Sequence, residues 1–109
     1  MLKGLAPPIA AYLGATGQML MVSGFTDDMP VRGSNRQFAD NWELSAQRAL
    51  TVTRTLIEEG VPADAIFAAA FGAQQPVAAN SDAEGRARNR RVEMAPVPKS
   101  SQAAKEGNG

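Results

Sequence analysis

The chain has 109 residues, eleven Lys plus Arg against eleven Asp plus Glu, 44% hydrophobic and 20% charged residues, and neither histidine nor cysteine. Such a chain makes one domain with its own core, too apolar for wholesale disorder. Its zero formal charge argues against holding nucleic acid by bulk electrostatics, and the missing His and Cys exclude zinc sites of those ligands, thiol nucleophiles, disulfides and a Ser-His-Asp triad. Cysteine-free chains suit the cytoplasm and an oxidising compartment equally. The run Ile9 to Leu13 is far too short to cross a bilayer, and Gly4, Pro7 and Pro8 break what would be the apolar part of a signal peptide.

In chain order, residues 2–16 read as a helix whose start is disturbed by Pro7 and Pro8, with Ile9, Tyr12 and Leu13 at helical spacing and Gly14 and Gly17 at its end. Residues 18–24 are a compact apolar run of strand length, bounded by Gly24. A polar loop of about sixteen residues, Phe25 to Asp40, exceeds the usual connection, and loops of that length are usually functional or disordered. A second helix starts near Asn41, where Asp40 and Glu43 have capping-box spacing. Ala46, Ala49, Leu50, Thr53, Leu56 and Ile57 make its inward stripe, and Gly60-Val61-Pro62 stops it. Ala65 to Phe71 reads as a second strand, Gly72 to Gly85 mainly as loop, Ala83 to Asn89 as a short helix and Arg90 to Val97 as a third strand with Val92 and Met94 on one face. Residues 98–109 turn polar and read as a disordered tail, leaving residues 1–97 as the domain. Alternating helices and strands predict an α/β two-layer sandwich, with the helices on one face of a small sheet.

Three places carry chemistry. Asp27 leaves the C-terminal end of a buried strand, where α/β folds face their ligands. Arg48 lies two turns into the second helix, and its guanidinium suits a carboxylate partner. On spacing alone, the two either pair with each other, face water or serve a ligand. Asp27 and Asp28 are weak candidates for a Ca²⁺ or Mg²⁺ site, because they lack the alternating ladder of a cation loop. Ser23, Ser34 and Ser45 have no histidine to activate them, which disfavours a hydrolase. Arg86, Arg88, Arg90 and Arg91 form the densest charge cluster. No aromatic residue interleaves them and Glu84 and Glu93 flank them, so a salt-bridged helix edge fits Arg86 and Arg88 better than a nucleic-acid platform.

The three places are not independent. Gly24-Phe-Thr-Asp27, then Asn41-Trp-Glu-Leu-Ser-Ala-Gln-Arg48-Ala49, then Gly85-Arg-Ala-Arg-Asn89-Arg-Arg-Val-Glu93 occur in the order seen in the OmpA-like peptidoglycan-binding domain, with Gln75-Pro76-Val77 and Asn80 between them. The chain resembles that family over residues 2–95, and Asp28-Met-Pro30 with Asn-Trp-Glu-Leu-Ser resembles its flagellar stator (MotB) branch most.

The resemblance implies an OmpA C-terminal-like sandwich on a small mixed sheet. It implies a periplasmic, non-catalytic module, without cofactor or metal, that holds the diaminopimelate stem of peptidoglycan. In the family's pattern Asp27 takes the ammonium of the ligand's zwitterionic end and Arg48 takes its carboxylate in two parallel hydrogen bonds. Thr26 and Asn41 line the same pocket, Leu44 supplies an apolar wall and Arg90 sits at the edge, while Arg91, Val92 and Glu93 belong to the last strand. A homodimer, and in a parent protein a membrane-embedded stator partner, are further implications. The alternatives are a protein–protein module of an envelope complex with a degenerate pocket, and a carboxylate-dependent wall hydrolase. Three departures stand out: Phe25 replaces the family's usual histidine, Ala70 and Gly72 replace a glycine pair, and the strand expected ahead of the first helix is missing. Its loss would leave an unpaired sheet edge.

Overall fold

The computed structural model of the protein describes residues 4–31 and 39–98. Seven of the loop residues expected between the first strand and second helix, 32–38, lie outside the described residues, as does the expected tail apart from Pro98. In chain order the elements are α1 (Ala6–Thr16), β1 (Met19–Phe25), α2 (Asn41–Glu58), a 3-10 turn (Ala63–Ala65), β2 (Ile66–Gly72), α3 (Ala83–Asn89) and β3 (Arg91–Val97). The alternation read from the sequence is the one observed.

Boundaries follow from local chemistry. Helix α1 starts at Ala6 with its prolines in the first turn. Pro8 has no N–H to offer a carbonyl one turn back, so the helix cannot run as far upstream as the periodicity suggests. Gly17 closes α1 in the left-handed region (φ 69°), with its N–H on the carbonyl of Leu13. For α2, the Asp40 carboxylate accepts the Glu43 N–H at 3.0 Å, while Glu43 accepts the N–H of Ala39 rather than that of Asp40. The capping box is thus present but displaced by one residue at its return bond.

The three strands form one mixed sheet in the order β2-β1-β3, with β1 parallel to β2 and antiparallel to β3. A parallel β1–β2 pair requires a crossover, and α2 is that crossover. Leu20 and Val22 of β1 meet Ala6 and Leu13 of α1, Ala49 and Leu56 of α2, and Val61 and Ile66 in one buried cluster. Each large apolar side chain sealed there contributes about 1.5–3 kcal/mol. Gly24, on the same side, lies so close to α2 that a Cβ would fall 2.0 Å from the Ser45 carbonyl oxygen.

Phe25 stacks on Phe71 with ring centroids 4.8 Å apart, and the Arg91 guanidinium covers its ring at 3.8 Å. Residue 25 is therefore sealed away from solvent, and its side chain is a structural anchor. Among the described residues β2 and β3 are the edge strands, and the strand that the resemblance places ahead of α1 has no counterpart.

Candidate ligand-binding site

The site forms where β1 ends. Thr26 donates its N–H to the Gly72 carbonyl at 2.7 Å, tying the turn after β1 to the end of β2. Its hydroxyl donates to the Asp27 carbonyl at 2.8 Å, and the whole residue is buried. Thr26 therefore shapes the turn, and its hydroxyl is committed to backbone.

Asp27 is nearly buried, and both its oxygens are engaged. Oδ1 accepts the Met29 N–H at 3.1 Å, and Oδ2 accepts Arg90 Nη1 at 2.7 Å. Of the alternatives left open for Asp27, neither a pairing with Arg48 nor exposure to water is observed: within the chain its charged partner is Arg90. One Asp27 oxygen is already occupied by a guanidinium, and no group of three or more acidic side chains able to hold a metal ion occurs among the described residues.

Asn41, at the start of α2, donates Nδ2 to the carbonyls of Met29 at 3.0 Å and Asp27 at 3.4 Å. One amide thus pins the loop to the helix. Leu44 and Arg48 follow Asn41 by three and seven residues, which places all three on one helical stripe. Both are half-buried. Among the described residues Arg48 has no ion pair, since the two pairs formed are Arg90–Asp27 and Arg91–Glu93. A half-buried guanidinium with its fork of donors unspent is suited to a carboxylate from outside. The structure therefore brings Asp27, Thr26, Asn41 and Arg90 into one bonded cluster. Leu44 and Arg48 stand beside it on the stripe that Asn41 begins.

Most of the arginine-rich motif is architecture. Asn89 is fully buried and spends its whole capacity on one loop: Oδ1 accepts the N–H groups of Val77 and Ala78, and Nδ2 donates to the Ala78 carbonyl and to Asn80 Oδ1. Arg86 donates to the Asn80 carbonyl at 3.0 Å. Arg91 donates to the carbonyls of Gln75 and Asn89 and pairs with Glu93. The motif is a clamp on residues 75–80 that delivers Arg90 to Asp27. Asn89 escaped the sequence reading as an isolated residue, because nothing local marks an asparagine as buried.

Trp42 was also missed. It is 51% exposed and borders a cleft of about 400 Å³ together with Asp28, Pro30, Asp40, Asn41 and Gln74. No group of three or more Asp and Glu side chains able to hold a metal ion occurs among the described residues, and no helix there is long and apolar enough to cross a membrane.

The OmpA family profile matches residues 5–90. "Motility protein B" of Bacillus subtilis is 42% identical over 81 residues, which cover 73% of this chain and 30% of the relative. "Peptidoglycan-binding protein ArfA" of Mycobacterium tuberculosis is 41% identical over 73 residues, covering 67% of this chain and 21% of the relative. The chain thus spans less than a third of the length of either. Among solved structures, the C-terminal domain of Helicobacter pylori MotB superposes with a TM-score of 0.75 at 28% identity, covering 98% of this chain and 81% of that one.

Proposed function

The chain belongs to the OmpA family, and on that footing we propose that residues 1–97 are a non-catalytic module that grips peptidoglycan by the free end of its diaminopimelate stem. The observation that supports this reading is a pair of opposite charges, one just after β1 and one on the neighbouring α2. A nearly buried carboxylate, Asp27, is aimed by Met29 and Arg90, and a half-buried guanidinium, Arg48, has no ion-pair partner among the described residues. A ligand carrying an ammonium and a carboxylate on one carbon matches both. The ammonium shares or takes over the Asp27 oxygen held by Arg90, and the carboxylate fills the Arg48 fork, so neither ion is left unpaired as water leaves. Leu44 offers the apolar wall against the ligand's methylene chain, and Asn41 keeps the two halves of the site in register. The family match and the relative named as a peptidoglycan-binding protein support binding without cleavage.

The relatives named as a motility protein and a peptidoglycan-binding protein support a role as a wall anchor. We place the module in the periplasm, attached in a parent protein to the inner membrane and to a stator partner, and working as a homodimer. Sedimentation of the purified chain tests the last point.

The deciding experiment is a heteronuclear NMR titration with a diaminopimelate-containing muropeptide, with a lysine-stem fragment as control. Shifts clustered at Asp27, Asn41, Leu44 and Arg48, lost in Asp27→Ala and Arg48→Ala variants that remain folded, establish the function. Unchanged binding by both variants overturns the assignment. A dispersed spectrum that ignores the muropeptide favours the second reading, a protein-interaction module. The observation behind that reading is an open apolar groove of about 420 Å³ between α1 and β3, lined by Leu5, Ile9, Tyr12, Met94 and Pro96 among others.

A further inference from the structure

Trp42 has no part in the stem site, yet the fold is shaped around it. A Cβ built on Gly72 would lie 3.2 Å from Cδ2, 3.2 Å from Cε3 and 3.5 Å from Cε2 of the indole. Three fused-ring atoms at nearly one distance from a single point mean that the ring lies face-on over the glycine. Gly72 also has φ +60°, a conformation that side-chain-bearing residues rarely adopt, so a bare backbone surface is kept there as the seat of the indole. One face is covered by this seat, and the residue as a whole stays 51% exposed, bordering the cleft among the described residues.

What surrounds Trp42 there is polar. Asp28, Asp40 and Gln74 are exposed along the cleft. Asp40 uses Oδ1 for the helix cap, which leaves its second oxygen as an acceptor. The indole N–H adds a donor. A flat apolar plate rimmed by carboxylates and an amide fits a pyranose ring, whose C–H face is apolar and whose hydroxyl and acetamido groups project at the rim. The acidic rim disfavours an anion, and its carboxylate oxygens can accept hydrogen bonds from hydroxyl and amide N–H groups.

Position selects the source of that sugar. Asn41 borders the cleft and also donates to the carbonyl of Asp27, so cleft and stem site share a wall. A stem gripped at Asp27 is joined to its glycan strand by a few residues, each spanning at most about 3.6 Å. We infer that the Trp42 cleft is a second subsite, which stacks an N-acetylated sugar of the glycan strand while the stem end is held at Asp27 and Arg48. This inference rests on the stem-binding proposal for its geometry, but the sugar contact can be tested without it.

Trp42 is the only tryptophan in the chain, so intrinsic fluorescence reports on this cleft directly. Three probes are titrated into the whole chain: the stem peptide alone, a disaccharide bearing the same stem, and an N-acetylglucosamine oligomer without peptide. The expected result is an emission shift with both sugar-containing probes. Affinities of wild type and variant are compared by calorimetry, because Trp42→Ala carries no indole to report: the substitution should weaken binding of the disaccharide-stem probe about tenfold, the size of one aromatic stacking contact, and leave that of the stem peptide unchanged. Equal affinity of wild type and Trp42→Ala for the disaccharide-stem probe overturns the subsite, whatever the stem peptide does. Sugar-oligomer binding without stem binding keeps the subsite and overturns the stem reading. Failure of all three probes to bind by calorimetry overturns both. Should Trp42→Ala lose its fold by circular dichroism, Trp42→Phe takes its place, and the wild-type emission with the sugar oligomer still decides.

Discussion

Asp27 Oδ2 and Arg90 Nη1 meet at 2.7 Å across 63 residues of sequence, joining the turn after β1 to the junction of α3 and β3. The Asp27 side chain is 12% exposed and that of Arg90 is 42% exposed, so the pair is half-solvated. An ion pair with one partner so open to water contributes no more than about 1 kcal/mol. A double-mutant cycle with Asp27→Asn and Arg90→Ala, read by urea unfolding, should give a coupling of about 0.5–1 kcal/mol that shrinks in molar salt. Zero coupling at low salt would mean that the Met29 backbone alone aims the carboxylate.

Arg48 should behave in the opposite way. With no ion-pair partner among the described residues, its removal deprives nothing there of a bonded neighbour. Arg48→Ala should leave stability within about 0.5 kcal/mol of wild type. Muropeptide affinity should fall by at least about tenfold, the loss of charge-assisted bonds to one carboxylate. Arg48→Lys should restore only part of it, because an ammonium keeps the charge but not the two-pronged geometry. A large stability loss in Arg48→Ala, seen in the thermal midpoint, would instead make the guanidinium a structural group.

The contrast between these two arginines marks what could be read from sequence. Elements were legible because their signals are local: the Asp40 cap, the Gly60-Val61-Pro62 stop and the apolar run of β1 lie within a few residues of what they determine. The motifs were legible as positions: Asp27 follows the end of β1 and Asn41 opens α2, as their spacing implied. The partner of Asp27 was not, because nothing local distinguishes Arg48, 21 residues away, from Arg90, 63 away. That choice is made by the sheet order β2-β1-β3, which sets the start of β3 beside the end of β1. Phe25 shows the same limit. In the sequence it is a polar group lost beside the pocket, and in the fold it is sealed between Phe71 and Arg91.

Thr53 offers a gain. It is buried in α2, and its hydroxyl has no hydrogen-bond partner. An unpaired hydroxyl in an apolar setting costs about 1–3 kcal/mol in desolvation. Valine has nearly the same shape without the hydroxyl, so Thr53→Val should stabilise the domain by about 1 kcal/mol. Chemical denaturation checks this, and a loss of stability would show that the hydroxyl is bonded in solution.

Asn89 should be among the most sensitive polar positions. Its four hydrogen bonds hold Val77, Ala78 and Asn80, and no water can replace them while the side chain is fully buried. Asn89→Ala should cost about 2–4 kcal/mol, because it empties a cavity and strands several loop groups at once. Since the same loop end leads into Arg90, ligand affinity should fall with it. Hydrogen exchange at Val77 and Ala78 gives the local readout, and unchanged protection there would refute the clamp.

Two glycines make a paired test of how closely β1 and α2 approach. At Gly24 an added Cβ would lie 2.0 Å from the Ser45 carbonyl oxygen and 2.9 Å from its carbon, both backbone atoms of the helix. Neither can rotate away, so strand and helix must separate. Ser45 is the residue whose hydroxyl accepts the Gly72 N–H at 3.0 Å, so the separation also loosens the end of β2 and the seat of Trp42. Gly24→Ala should therefore cost at least about 3 kcal/mol, in the range of severe overpacking. Gly14, on the exposed side of α1, has nothing within 4 Å of its would-be Cβ. There the helix preference of alanine acts alone, and Gly14→Ala should stabilise by about 0.5–1 kcal/mol. Thermal unfolding of the two variants should therefore move in opposite directions. If Gly24→Ala unfolds near the wild-type midpoint, α2 is not packed against β1 at backbone contact, and the placement of Asn41 and Arg48 over the end of β1 falls with it.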